Sequence, residues 1–184
     1  MQIMLGDIHQ SAWLERAECL HDAATIQAAL DTLAGQISEE LAGQNPVVLT
    51  VMGGALIFAG HLLTRLSFPL ECEYVHASRY RGALTGGEIV WKVRPPESVR
   101  GRTVLVLDDI LDEGFTLAAI QRALLDAGAK RVYLAVMVEK HLGRQKPIAA
   151  DYVGLTVPDR YVFGFGMDVE GSWRNLPAIY ALPE

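Results

Sequence analysis

The sequence predicts an α/β fold: a mostly parallel sheet with helices on both faces, and a small hood layer over the edge where such sheets bind ligands. Three observations carry this. Apolar, β-favouring runs alternate with stretches of helical periodicity; several runs are apolar almost throughout, as in strands buried on both faces; and the tail breaks the alternation with short strands. A chain of 184 residues with 51% hydrophobic composition is enough for one domain and too short for two ordinary ones. The expected division is a core over about 22–150, with a hood built from the N-terminal segment and about 151–184.

In chain order, Asp22 is the N-cap of a helix to about Leu41, with Ile26, Leu30, Leu33, Ile37 and Leu41 on one face. Val47 to Met52 is a buried strand ending at Gly53-Gly54, and Ala55 to Leu66 an apolar helix. Leu70 to Ala77 and Glu88 to Val93 are strands, separated by a Gly-rich, basic loop over 79–87 with the composition of a mobile segment. After Pro95-Pro96 comes a strand from Val104 to Leu107, then an acidic loop, then an amphipathic helix from Thr116 to Ala127 stopped by Gly128. Arg131 to Val138 is the next strand. Tyr152 to Val157 and Tyr161 to Phe165, around Pro158-Asp159, supply the short strands of the hood.

The formal net charge of −6 argues against a nucleic-acid partner and favours a small phosphorylated ligand. Cys19 and Cys72 form neither a CxxC nor a zinc pattern, which suits a reducing cytoplasm. The N-terminal residues lack the basic region and long apolar stretch of a signal peptide. Val47 to Thr64 is the one stretch resembling a membrane span, but Gly53-Gly54 splits it and His61 interrupts it, so no membrane partner is expected.

The densest chemistry lies in Val104-Leu105-Val106-Leu107-Asp108-Asp109-Ile110-Leu111-Asp112-Glu113-Gly114-Phe115-Thr116-Leu117. A loop after a buried strand meets the unpaired N–H groups of the next helix, and these attract phosphate. Gly114 lets backbone come close to such a group. An acidic loop often does no more than cap a helix, a duty Asp112 or Thr116 would fill. Three aspartates within five positions repel one another unless a cation, a polyol or protons compensate them, which tips the reading towards a ligand site.

Residues Leu107 to Leu117 resemble the phosphoribosyl pyrophosphate loop of the type I phosphoribosyltransferases, and Asp112 with the tail Val157-Pro158-Asp159-Arg160-Tyr161-Val162-Phe163-Gly164 is similar to the hypoxanthine-guanine branch of that family. The resemblance runs from about Asp22 onward. It implies transfer of a 5-phosphoribosyl group from phosphoribosyl pyrophosphate to N9 of a 6-oxopurine, with Mg2+ as helper. It further implies that Asp108 and Asp109 hold the ribose hydroxyls or the metal, with Asp168 as another metal ligand. The N–H groups of Glu113, Gly114, Phe115, Thr116 and Leu117, with the Thr116 hydroxyl, take the 5-phosphate. Arg174 and the backbone near Met52 and Gly53 take the pyrophosphate. Asp112 is the base at N7. Lys140 is the donor to O6, placed with Tyr161 on the far side of the purine. Tyr161 stacks on the ring and Val162 reads its edge through the backbone. Ser78 and Tyr80 belong to a lid.

The chain departs from the family pattern at Met52, where a lysine is common, and at Arg79, where a second serine is usual. Adenine is disfavoured because its 6-amino group would meet Lys140 donor to donor. Xanthine, or a non-catalytic relative that binds nucleotides, are the alternatives; the intact Asp112 and the acidic balance speak against the latter. A phosphoacceptor receiver domain would place its paired acids after the first strand, not after residue 107. The family assembles as dimers or tetramers, so a homodimer or homotetramer is expected, and the apolar helix after Gly54 is either an interface or a core element.

Overall fold

The computed structural model describes residues 13–79 and 89–183. Tyr80 and the loop over 80–88 lie outside the described residues. The elements run β1 (Glu18–His21), α1 (Ala23–Leu41), β2 (Val47–Val51), α2 (Ala55–Leu63), β3 (Glu71–Arg79), β4 (Ile89–Val93), a 3-10 turn (Glu97–Val99), β5 (Thr103–Leu111), α3 (Phe115–Asp126), β6 (Arg131–His141), β7 (Tyr152–Pro158), β8 (Val162–Phe163) and β9 (Ile179–Ala181). The main sheet has six strands in the order β4-β3-β2-β5-β6-β7, and β1, β9 and β8 form a small second sheet. Among the described residues, only the β3–β4 pair of the main sheet is antiparallel.

Side-chain alternation along the strands splits the core in two. Leu105 and Leu107 of β5 face a cluster with Ile26, Leu30, Leu33 and Ile37 of α1 and Phe58 and Leu62 of α2, while Val104 and Val106 face Leu117, Ile120 and Leu124 of α3. Helices therefore cover both faces. The Asp22 cap forms as expected, its Oδ1 accepting from Thr25 N at 2.8 Å. Gly154 admits α1 onto β7: a Cβ there would lie 2.7 Å from Met137 O and 3.1 Å from Leu33 Cδ1. The apolar helix after Gly54 is a core element along Ala55, Phe58, Ala59 and Leu62, with Leu56 left exposed.

Three expectations are corrected. The strand expected to end at Leu107 runs to Leu111, because its pairing with β6 continues through Leu111↔Glu139, and that partner likewise runs on to His141. Asp108 and Asp109 are thus strand residues, not loop residues. Tyr152–Pro158 does not belong to the hood: it pairs parallel with β6 as the edge of the main sheet, so the core reaches about residue 158. The crossover into it, 142–151, carries no helix, which hid its place in the sheet. Hood strand Tyr161–Phe165 shortens to Val162–Phe163, and its partners β1 and β9 were not anticipated.

The hood is seated on the core by the turn Gly164–Met167, whose buried Phe165 ring lies 5.3 Å from that of His61 on α2. Leu105, fully buried at the centre of the sheet, is a direct test of the packing. Leu105→Ala should lower unfolding free energy by about 2–5 kcal/mol in urea titrations, with the slope against denaturant preserved.

Candidate active site

At the carboxyl ends of β2 and β5 the structure opens a cleft of about 680 Å³. Its floor is the end of β5. There each acid turns back on the chain: Asp108 Oδ1 accepts from Asp109 N at 3.0 Å, and Asp109 Oδ1 from Ile110 N at 2.9 Å. Burial, then the neighbouring Asp109 charge, hold the Asp108 carboxyl well above the usual carboxylate range. Asp109 is also raised by burial, opposed by hydrogen bonding from Asp108 and by the positive charge of Arg174.

One wall is Met52, Gly53 and Gly54, leading from β2 into α2. The Met52–Gly53 peptide is cis, and Met52 N donates to Val75 O at 2.8 Å. Gly54 is there because no side chain fits: its Cβ would lie 1.9 Å from Asp109 Oδ2. From the hood, Gly166, with φ of +103°, comes equally close, since a Cβ on it would lie 2.2 Å from Gly54 O. Two glycines thus let the hood and the β2–α2 turn close around Asp109. Gly54 reads in the sequence as part of a strand stop and Gly166 is not singled out there; only contacts distant in sequence show why they must be glycine.

The opposite wall is Asp112, Glu113 and the start of α3. Gly114 turns the chain with φ of +85°, in the left-handed region that favours glycine, and leaves the helix N-terminus facing the cleft without a side-chain cap. Glu113 Oε1 accepts from Arg144 Nη2 at 3.0 Å. Thr116 and Leu117 line the cleft as expected, and so does Phe115, whose side chain is exposed.

The hood contributes Arg174 and Asp168. Arg174 Nη1 donates to Gly166 O at 2.6 Å and lies 4.0 Å from Asp109 Oδ2, while Nη2 donates to Asp168. Asp168 Oδ2 also accepts from Gly171 N at 2.8 Å. The expected metal set of Asp108, Asp109 and Asp168 is not drawn together among the described residues: the Arg174 guanidinium contacts both Asp109 and Asp168. What remains is one or two carboxylates, a donor set that fits a hydrated Mg2+ shared with phosphate oxygens.

Lys140, expected across the purine from Asp112, is instead beside it. Its Nζ, on a side chain only 11% exposed, donates to Asp112 Oδ2 at 2.9 Å. Tyr161 is exposed and its hydroxyl donates to Asp168 O at 3.2 Å; Val162 is buried in β8, and neither lines the cleft. On β3, Ala77 lines the cleft, and Ser78, the next residue on an alternating strand, does not. Lys146, not singled out from the sequence, donates to Leu111 O at 2.9 Å at the back of the same turn.

A family model described as "Phosphoribosyl transferase domain" matches residues 17–170. The chain is 37% identical over 155 residues to the bifunctional protein TilS/HprT of Listeria monocytogenes, a match covering 84% of this chain and 24% of that protein. It thus spans about a quarter of the length of those relatives. It is 33% identical over 172 residues to the hypoxanthine-guanine-xanthine phosphoribosyltransferase of Tritrichomonas foetus, with 93% of each chain covered. Among solved structures, a hypoxanthine phosphoribosyltransferase from Staphylococcus aureus superposes with a TM-score of 0.85 at 27% identity, covering 98% of this chain and 97% of that one.

The buried acid gives a stability test with a definite sign. A carboxyl whose pKa is raised on folding stabilises the fold fully only below its unfolded pKa of about 3.9, and that stability is lost as pH rises through the folded pKa. Asp108→Asn keeps the acceptor for Asp109 N and removes the charge, so it should raise stability at pH 7. In urea titrations at stepped pH, that advantage should shrink towards zero below about pH 4.

Proposed function

The chain belongs to the phosphoribosyltransferase family, and on that premise we propose that it transfers the 5-phosphoribosyl group of phosphoribosyl pyrophosphate to N9 of hypoxanthine or guanine, giving IMP or GMP and pyrophosphate. The observation that carries the base assignment is the Lys140–Asp112 pair. Atoms O6 and N7 occupy the same edge of a 6-oxopurine, one an acceptor and the other, in the N7-H tautomer, a donor. A site that reads both needs a donor and an acceptor side by side, and Lys140 Nζ and Asp112 Oδ2 are 2.9 Å apart. This is also why the two cannot stand on opposite sides of the ring.

In this reading the base enters over Asp112, and the contact between Lys140 and Asp112 is exchanged for one from Lys140 to O6 and one from N7-H to Asp112. Asp112 then takes the N7 proton as N9 attacks C1 of the ribose. The sugar is held by Asp108 and Asp109 through its hydroxyls and by the N–H groups from Glu113 to Leu117, with the Thr116 hydroxyl, through its 5-phosphate. Departure of pyrophosphate builds negative charge beside Arg174 and the Met52-Gly53 backbone, which offset it. Mg2+ bound to the pyrophosphate would add positive charge there, with Asp109 or Asp168, on either side of the Arg174 guanidinium, as the carboxylate that would hold it through its water shell. Tyr161, exposed on the hood beside Asp168, is assigned to stack on the purine, and Val162 to meet its edge through backbone atoms. Ser78 and Tyr80 are assigned to a lid over the cleft. A cytoplasmic location and assembly as a homodimer or homotetramer complete the proposal, the latter read by light scattering on the purified chain.

Xanthine shares the O6 and N7 edge, and the Tritrichomonas relative carries it in its name, so it is the second base to test. Purified protein with phosphoribosyl pyrophosphate and Mg2+ should convert hypoxanthine and guanine to nucleotides and leave adenine unused; no product from any 6-oxopurine would defeat the proposal. Chelation of the metal should abolish turnover. Asp112→Asn should lower turnover by about 10²-fold or more while sparing phosphoribosyl pyrophosphate binding, measured by isothermal titration. Lys140→Ala should weaken binding of 6-oxopurines, and an equal change for adenine would refute its role at O6.

A further inference from the structure

The loop between β6 and β7 contains a lysine with no part in the reaction above. Lys146 is nearly enclosed, its side chain 9% exposed, and its Nζ makes two bonds: to Leu111 O at 2.9 Å and to Glu139 Oε1 at 3.1 Å. Burying an ammonium is costly unless it is paired, so this enclosure has to be matched by its partners. Both partners are informative. The Leu111 carbonyl belongs to the peptide that leads into Asp112, and Glu139 immediately precedes Lys140. Leu111 and Glu139 are also register partners in the β5–β6 ladder. The ammonium therefore clips together the last rung before the two strands deliver Asp112 and Lys140.

The same loop backs the rest of the turn. A Cβ on Gly114 would lie 3.1 Å from Ile148 Cγ2 and 3.5 Å from Pro147 Cδ, so these neighbours of Lys146 press on the residue that opens α3. Arg144 reaches Glu113 from the same loop.

We infer that Lys146 is a positioning residue: by tying the peptide before Asp112 to the residue before Lys140, it sets the spacing of the donor and acceptor that face the purine edge. The inference rests on the 6-oxopurine reading and deepens it. A displacement of this pair by a fraction of an ångström costs alignment to both O6 and N7 at once, while the sugar contacts of Asp108 and Asp109 are anchored elsewhere, by Gly54 and Arg174.

The test compares wild type, Lys146→Met and Lys146→Arg in steady-state kinetics with each substrate varied in turn. Lys146→Met should lower kcat about tenfold and raise KM for hypoxanthine about fivefold, with KM for phosphoribosyl pyrophosphate within about twofold of wild type. Lys146→Arg, which restores a cation able to donate to both partners, should recover most of the loss. Wild-type constants in Lys146→Met, a parallel rise in both KM values, or no recovery with arginine would each overturn the inference. If Lys146→Met fails to fold, Glu139→Leu decides: it removes the side-chain acceptor of the clip, and should raise the hypoxanthine KM alone; unchanged constants would overturn the inference. A wild-type chain that forms no nucleotide would instead defeat the reading of the reaction, and this inference with it.

Discussion

The parallel pairing of β5 with β6 is the constraint on which the site depends. It holds from Thr103↔Arg131 to Leu111↔Glu139, longer than either strand's apolar run. A strand buried on both faces usually stops where its side chains turn polar, because a carboxylate inside the sheet is costly. Here the ladder continues past Asp108 and Asp109, and continuing it places Asp112 and Lys140, 28 residues apart in sequence, in direct contact. A one-residue slip of β6 against β5 would turn the side chains of β6 to the opposite face and separate that pair. The catalytic assignment is therefore a statement about register before it is one about side-chain chemistry.

Extending a strand into acids leaves a debt of desolvation that the surroundings only partly offset. Asp109 has Arg174 at 4.0 Å; Asp108 has the N–H of Asp109 and no cation among the described residues within ion-pair distance. Burial and the Asp109 charge hold Asp108 well above the usual carboxylate range, while at Asp109 hydrogen bonding from Asp108 and the Arg174 charge oppose the rise that burial causes. Ribose hydroxyls would bring donors to both. A site poised in this way loses stability to gain affinity, since the ligand supplies what the fold withholds.

Local pattern made much of the fold legible. Alternating strand and helix periodicity located α1, β2, α2, β5, α3 and β6, and Asp22 and Gly128 marked helix ends through capping chemistry that depends on a few neighbours. What failed was long-range. β7 reads as an isolated short strand because no helix precedes it, and only pairing with β6 shows that it closes the sheet. β1 and β9 are three or four residues long, too short for any period, and exist because each supplies the other's hydrogen bonds. The site divides the same way. Asp108, Asp109, Asp112 and the α3 N-terminus lie in one segment and were read together, whereas the roles of Gly54, Gly166 and Lys146 depend on atoms far away in sequence that no motif encodes.

That division also explains why Lys140 stands beside Asp112 and not on the far side of the purine. From sequence, a lysine at a strand end and an acid in a loop are two independent partners for a ring, and opposite sides is the natural arrangement. The structure adds that neighbouring strands in a parallel sheet end side by side, about 4.8 Å apart, so groups just past a shared rung must approach the ligand from one direction. A flat heterocycle offers a donor and an acceptor in one direction only along an edge. The pairing of Leu111 with Glu139 thus favours a ligand with adjacent, opposite hydrogen-bonding groups on one edge; under the proposed assignment the order of those groups matters, because the N7-H tautomer of a 6-oxopurine offers an acceptor at O6 and a donor at N7, whereas adenine offers them reversed.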